Sequence, residues 1–83
     1  FIMANNALTN ALTREEILSQ LKELNPQKGF GVRMFMGNWG ESFNYPDDIE
    51  EAAREIYNAQ ETYGPISSIK YDDFDKEVKV KIV

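Results

Sequence analysis

Hydrophobic positions recur along this chain with two different periods, and the change of period predicts a helix, a hairpin, a second helix and a second hairpin. The first stripe has helical spacing and predicts a helix over about 14 to 24. Thr13 and Glu16 form a capping box that starts this helix, and Asn25-Pro26 ends it, because the residue before a proline avoids the helical region. The stripe consists of Ile17, Leu18, Leu21 and Leu24.

The next segment alternates with a period of two, which is typical of a strand with one buried face. It covers residues 29 to 37, and its apolar positions are Phe30, Val32, Met34 and Met36. Asn38-Trp39-Gly40 has turn composition, and residues 41 to 45 follow as a short second strand. Trp39 in that turn has two interpretations: it folds back over the edge of the core, or it anchors an interface.

Pro46-Asp47-Asp48 predicts the start of the second helix, with Asp47 and Glu50 as its capping pair. Gly64-Pro65 predicts its end. The predicted buried stripe consists of Ile49, Ala52, Ala53, Ile56, Gln60 and Tyr63.

The last two strands are predicted over residues 66 to 71 and 76 to 83, with the acidic turn 72 to 75 between them. The final strand alternates apolar residues with lysines. We therefore expect Val78, Val80 and Ile82 to point inward and Lys79 and Lys81 to point outward.

This order predicts a single α+β domain over residues 13–83, with a four-stranded antiparallel or mixed sheet and both helices on one face. Residues 1–12 are expected to form a flexible leader, with Met3 as the native start and residues 1–2 as a remnant of expression. The order also resembles a permuted ferredoxin-like fold, cut between its third strand and its second helix. That resemblance implies that the second helix connects strands 41–45 and 66–71 in parallel.

The 83 residues include no histidine and no cysteine, and this composition argues against most catalytic chemistry. Imidazole, thiolate and soft metal ligands are all missing. The carboxylates are expected on hydrated helix faces, and the acidic turn is similar to a calcium loop but lacks its glycine and terminal glutamate. We therefore expect a non-enzymatic binding protein without cofactor or metal, located in the cytoplasm and not in a membrane.

Fourteen acidic residues oppose nine basic ones, and the acids concentrate on the two helices and the last turn. The preferred hypothesis is an inhibitor or regulator that docks this acidic layer on a basic surface of a protein partner. In size and charge the chain resembles small acidic inhibitors of phages and plasmids (anti-restriction, anti-CRISPR and uracil-glycosylase-inhibitor proteins), which implies nucleic-acid mimicry. The alternative is that these acidic side chains have no binding role and only keep the exposed helix faces solvated. The predicted contact residues are Trp39, Tyr45, Asp48, Glu51, Glu55, Asp72 and Asp73.

A second hypothesis concerns the strand residues that are expected to point away from the helices. They predict a basic sheet face with an exposed aromatic residue, and the ligand expected there is single-stranded RNA or DNA. Its residues are Arg33, Phe35, Lys70, Lys79 and Lys81. Residues 28–31 with Phe35 partly resemble the RNP1 string of RNA-recognition motifs, and residues 34–39 resemble their RNP2 string, which implies base stacking on Phe35. The two strings overlap on one strand here, whereas that family has them on two. A third hypothesis is a homodimeric structural module that pairs through a strand edge.

Overall fold

The computed structural model describes residues 11–82, so residues 1–10 of the predicted leader and Val83 lie outside the described residues. It confirms the predicted α+β class. The elements are α1 (Arg14–Leu24), β1 (Gly31–Met36), a 3₁₀ turn (Gly37–Trp39), β2 (Glu41–Asn44), α2 (Ile49–Tyr63), β3 (Ile66–Asp72) and β4 (Glu77–Ile82).

The four strands form one mixed sheet in the order β2-β1-β4-β3. The central pair, β1 and β4, is parallel, and each outer strand pairs antiparallel with its neighbour. The permuted ferredoxin-like topology is not confirmed. The two strands that α2 connects, β2 and β3, do run parallel, but they are the two outer strands, and β1 and β4 both lie between them.

The capping box predicted for α1 is present. The Thr13 hydroxyl accepts the amide of Glu16 at 3.1 Å, and the Glu16 carboxylate accepts the amide of Thr13 at 2.8 Å. At the other end Asn25 adopts a left-handed conformation with φ of 49° and so closes the helix. The helix turns Ile17 and Leu21 into the core, where both are buried.

The structure corrects two details of the prediction for α2. Its cap is Asp48, which accepts the Glu51 amide at 2.8 Å, so the capping pair begins one residue later than the sequence suggested. Ala59 is buried, whereas Tyr63 is 39% exposed, because the last turn of the helix places the Tyr63 ring against Trp39 and not against the core. Gln60 is buried as predicted.

The core lies between the helices and one face of the sheet. Inward residues of β1 and β4 face each other in register, as the alternation predicted: Val32 with Val78, Met34 with Val80 and Met36 with Ile82. Both helices pack on this face, so the opposite face carries no covering element among residues 11–82. No described helix is both long enough and apolar enough to cross a membrane.

Candidate interaction surfaces

The uncovered face of the sheet, called here the open face, carries three rows of side chains that cross the strands. The register brings together all five residues of the nucleic-acid hypothesis in the first two rows. From β2 to β3 the first row is Glu41, Phe35, Lys81 and Ser68, the second is Phe43, Arg33, Lys79 and Lys70, and the third, from β1 to β3, is Gly31, Glu77 and Asp72.

Arg33 is bound on three sides within this face. Its guanidinium donates to both carboxylate oxygens of Glu77, at 2.9 and 3.1 Å, and to Glu41 at 2.7 Å. It also lies over the ring of Phe43, with 4.6 Å between the guanidinium carbon and the ring centroid. The hydrogen bonds that Arg33 donates to Glu77, and then to Glu41, raise the pKa of Arg33, and the bonds to Glu77 lower the pKa of that carboxylate. The charge of Arg33 is therefore already compensated inside the molecule.

Lys79 is compensated in the same way. Its ammonium donates to Asp72 at 2.8 Å and to Asp75 at 3.4 Å. The hydrogen bond between Lys79 and Asp72 raises the pKa of the lysine and lowers the pKa of the aspartate.

The open face is consequently mixed in charge, which corrects the expectation of a basic face. Three carboxylates, those of Glu41, Glu77 and Asp72, share it with the bases. The sequence already showed that Glu77 and Lys79 point to the same face of the sheet, because they are two residues apart in one strand. It did not show that β1 and β4 are neighbouring strands, and this pairing places Glu77 beside Arg33.

Two lysines of the open face keep their charge uncompensated. Within residues 11–82, neither Lys70 nor Lys81 forms an ion pair. Both line a shallow cavity of about 570 Å³, together with the half-buried ring of Phe35 and with Ser68.

Four of the seven predicted protein-contact residues lie together at one border of the molecule, which we call the β2 edge: Tyr45, Asp48, Glu51 and Glu55, joined by Phe43. The Asn44 side chain of β2 donates to Glu55 and so ties the outer strand to α2. Tyr45 is 70% exposed, and its ring meets Phe43 edge to face with 4.8 Å between centroids. The edge thus combines an exposed aromatic pair with three carboxylates.

The other three predicted contact residues lie elsewhere. Trp39 is 78% exposed and lies 6.2 Å, between ring centroids, from Tyr63, which ends α2. The 15 residues of α2 separate this pair from Asp48 by about 22 Å. Trp39 therefore does not fold over the core, and it does not belong to the β2 edge.

Asp72 and Asp73 lie at the opposite border of the sheet, where β3 ends. One oxygen of Asp72 accepts the amides of Phe74 and Asp75, which shapes the turn, while the other oxygen binds Lys79. Asp73 accepts a hydrogen bond from the Gln27 side chain at 3.2 Å. Both aspartates thus stabilise the fold locally, about three strand spacings from the β2 edge.

The net negative charge of the molecule arises in its helical half. Residues 13–25 and 46–63, which form the helices and their caps, carry nine acidic and three basic side chains. The remainder of the chain carries five acidic and six basic side chains. The surplus that makes the whole chain negative therefore lies on the helices.

A groove of about 350 Å³ lies between the two helices. Its apolar lining is Leu18 and Ala53, and its charged lining is balanced: Arg14, Glu15, Glu50 and Arg54. Two charges of each sign meet in this groove, so its charged lining is neutral overall. The surplus of acidic side chains on the helices therefore lies outside the groove. At the β2 edge, three of the helical acids lie beside Tyr45, an aromatic residue that is 70% exposed.

Comparisons with known proteins add nothing to this geometry: no protein-family model, no curated protein and no solved structure matches the chain. Among the described residues, no group of three or more acidic side chains is arranged to hold a metal ion.

Proposed function

We propose that this protein is a small intracellular binding protein that docks its β2 edge on a basic surface of another protein, as an inhibitor or regulator. The supporting observation is the coincidence of Tyr45, which is 70% exposed, with the carboxylates of Asp48, Glu51 and Glu55 at one border of the acidic helical half. The cytoplasmic location belongs to the proposal, and the lack of cysteine suits a reducing compartment.

The two components of the edge have different roles in such a complex. Carboxylates speed the encounter with a positive surface and set its orientation, and this effect weakens with salt. An aromatic ring that is exposed before binding contributes affinity when the partner buries it. Tyr45 is the candidate anchor, with Phe43 behind it as a fixed support.

The spacing of the carboxylates suits a partner that normally binds nucleic acid. Asp48, Glu51 and Glu55 occupy positions i, i+3 and i+7 of α2, so they follow one side of the helix at axial steps of about 4.5 to 6 Å. Phosphates along one strand of a duplex are separated by about 3.4 Å of axis. The row is similar in scale to a phosphate backbone, and we therefore propose a nucleic-acid-binding enzyme as the first class of partner to test.

Site-specific photo-cross-linking tests the proposal. A photoreactive phenylalanine analogue replaces Tyr45 in one sample and Phe74, which is 95% exposed on the β3–β4 turn, in the matched control. Irradiation in host cells should cross-link the Tyr45 sample, and not the Phe74 sample, to a protein with a basic surface. Equal cross-linking from both positions would contradict the proposal.

Charge variants test whether the carboxylates contribute. Asp48→Asn with Glu51→Gln removes two charges, and asparagine preserves the helix cap. Glu15→Gln with Glu23→Gln removes two charges from α1 as a control. The captured partner should bind the first variant at least about tenfold more weakly at low salt. An equal loss in both variants would show that only net charge matters.

A homodimer that pairs through an outer strand is the structural alternative, since β2 and β3 both have one unpaired side among the described residues. Sedimentation equilibrium of the purified protein separates the two cases. A monomer leaves the β2 edge available to a partner, whereas a tight dimer whose cross-link at position 45 joins two copies would replace the proposal.

A further inference from the structure

Lys70 on the open face has no ion-pair partner within residues 11–82. It lies directly opposite Lys79 in the antiparallel pair of β3 and β4, but Asp72 and Asp75 already bind the Lys79 ammonium. Lys70 is exposed, so its ammonium is available to an anion.

Lys81 provides the second positive charge and Phe35 the aromatic surface. Lys81 is the direct neighbour of Phe35 across β4 and β1, so the two side chains project from strands about 4.8 Å apart. Lys70 lies one strand further out and one row away. The three side chains line the same cavity of about 570 Å³, a size typical of sites for small ligands.

Two carboxylates line this cavity, those of Asp72 and Asp73. Asp72 binds Lys79 at 2.8 Å, whereas Asp73 accepts a hydrogen bond from the neutral Gln27 side chain and keeps its charge. Glu41, the other neighbour of Phe35, binds Arg33 at 2.7 Å. The lining therefore carries three lysines against two aspartates, a net charge of +1, and Lys70 and Lys81 are its two lysines without an ion-pair partner among residues 11–82.

We infer that the open face binds single-stranded nucleic acid, with one base stacked on Phe35 and the adjoining phosphates at Lys70 and Lys81. An aromatic platform beside backbone-binding cations is the arrangement that recognises unpaired strands without strong sequence preference. A duplex does not fit, because its bases are stacked on one another and cannot reach a ring that lies on the sheet. This site lies on the opposite side of the sheet from α1 and α2, so it is separate from the carboxylates of the β2 edge.

The test is fluorescence anisotropy of the full chain with a labelled oligothymidine of about ten nucleotides. Two phosphate contacts predict that the logarithm of the association constant falls with the logarithm of salt concentration with a slope of about −1.4. Lys70→Gln with Lys81→Gln should bring that slope close to zero. Lys22→Gln with Arg54→Gln removes the same charge from the two helices, on the other side of the sheet, and should leave the slope unchanged.

Stacking is tested separately from charge. Phe35→Leu should weaken oligothymidine binding about tenfold, whereas binding of an abasic strand of equal length should be weak and insensitive to this change. Cooperative unfolding of each variant verifies that it is folded, and the abasic strand tests stacking on the unaltered protein. Equal affinity for the two strands, an equal loss in the Lys22/Arg54 control, or no binding at low salt would each overturn the inference.

Discussion

Trp39 lies in an environment that is unusual for its residue type. A tryptophan ring is large and apolar, yet this one is exposed at the β1–β2 turn and touches Tyr63 at the molecular border. Its location follows from the three-residue turn, which ends β1 before the ring could reach the core. The residue type alone therefore does not predict how exposed the Trp39 side chain is.

Replacement of Trp39 by Ala should leave cooperative unfolding intact and change the free energy of unfolding by less than about 1 kcal/mol, because little of the ring is removed from water. Ile56→Ala is the contrasting variant, since Ile56 is fully buried and its truncation should cost about 2–5 kcal/mol. Urea denaturation measures both. A Trp39 variant as unstable as the Ile56 variant would show that the ring is part of the core.

Gly31 is required by a close approach and not by its backbone angles. A Cβ atom at this position would come within 2.5 Å of the Phe43 ring, which lies over the strand. Gly31→Ala should therefore push the partly exposed ring aside, disturb its contact with Arg33 and destabilise the protein by about 0.5–1 kcal/mol. Urea denaturation measures the change.

Phe43→Ala is the background that isolates this effect. Without the ring, the added methyl group has room, so Gly31→Ala should cost much less in the double variant. An unchanged cost would mean that a different contact restricts Gly31.

At the scale of elements, a buried polar side chain joins the beginning of α1 to the end of α2. Gln60 accepts the amide of Leu12 at 2.9 Å and donates to the carbonyl of the same residue at 2.7 Å. Sequence periodicity placed Gln60 on the buried stripe correctly. It could not supply the partner, which is 48 residues away in the segment expected to be a flexible leader.

Gln60→Leu replaces the polar side chain with an apolar one of similar size and removes both hydrogen bonds. We expect a loss of about 2 kcal/mol, because two backbone groups of Leu12 lose their partner. Hydrogen exchange at the Leu12 amide should become much faster while α2 keeps its protection. Unchanged exchange at Leu12 would show that water replaces the glutamine without cost.

The two helices show which features the local rules of capping and apolar spacing predict. The capping box of α1 and its apolar stripe lie where spacing placed them. The cap of α2 moved from Asp47 to Asp48, since two adjacent aspartates satisfy the same local rule and only the path of the chain after β2 selects between them.

At the scale of the whole molecule, ion pairs of the open face join neighbouring strands of the sheet. Arg33 of β1 binds Glu77 of β4, and Lys79 of β4 binds Asp72 of β3. These contacts lower the pKa of Glu77 and of Asp72 below their ordinary values of 4.5 and 3.8. The folded protein therefore binds fewer protons than the unfolded chain in acid.

Stability from these carboxylates is complete above their ordinary pKa values and is lost as the pH falls through the lowered native values. The free energy of unfolding, measured by urea denaturation between about pH 2 and pH 5, should fall less steeply with acid in Arg33→Gln, which removes the main cause of the Glu77 shift. Lys22→Gln, on α1, should behave as the unaltered protein does. Equal slopes in all three would contradict a contribution from Arg33 and Glu77.

Charge at this scale also separates the two proposed surfaces. The acidic surplus lies on the helices, and the uncompensated lysines lie on the opposite side of the sheet. The two proposals can therefore fail independently: variants at Asp48 and Glu51 address the first, and variants at Lys70 and Lys81 address the second.

From the sequence alone one could determine the type and order of the elements, the inward residues of β1 and β4, and the residues that share the open face. These follow from periods of 3.6 and 2, which are local properties of the backbone. Only the tertiary structure decided that β1 lies beside β4, that Glu77 neutralises Arg33, and that Trp39 lies far from Tyr45. Strand order depends on how the whole chain buries its apolar faces, so no local pattern specifies which charges become neighbours.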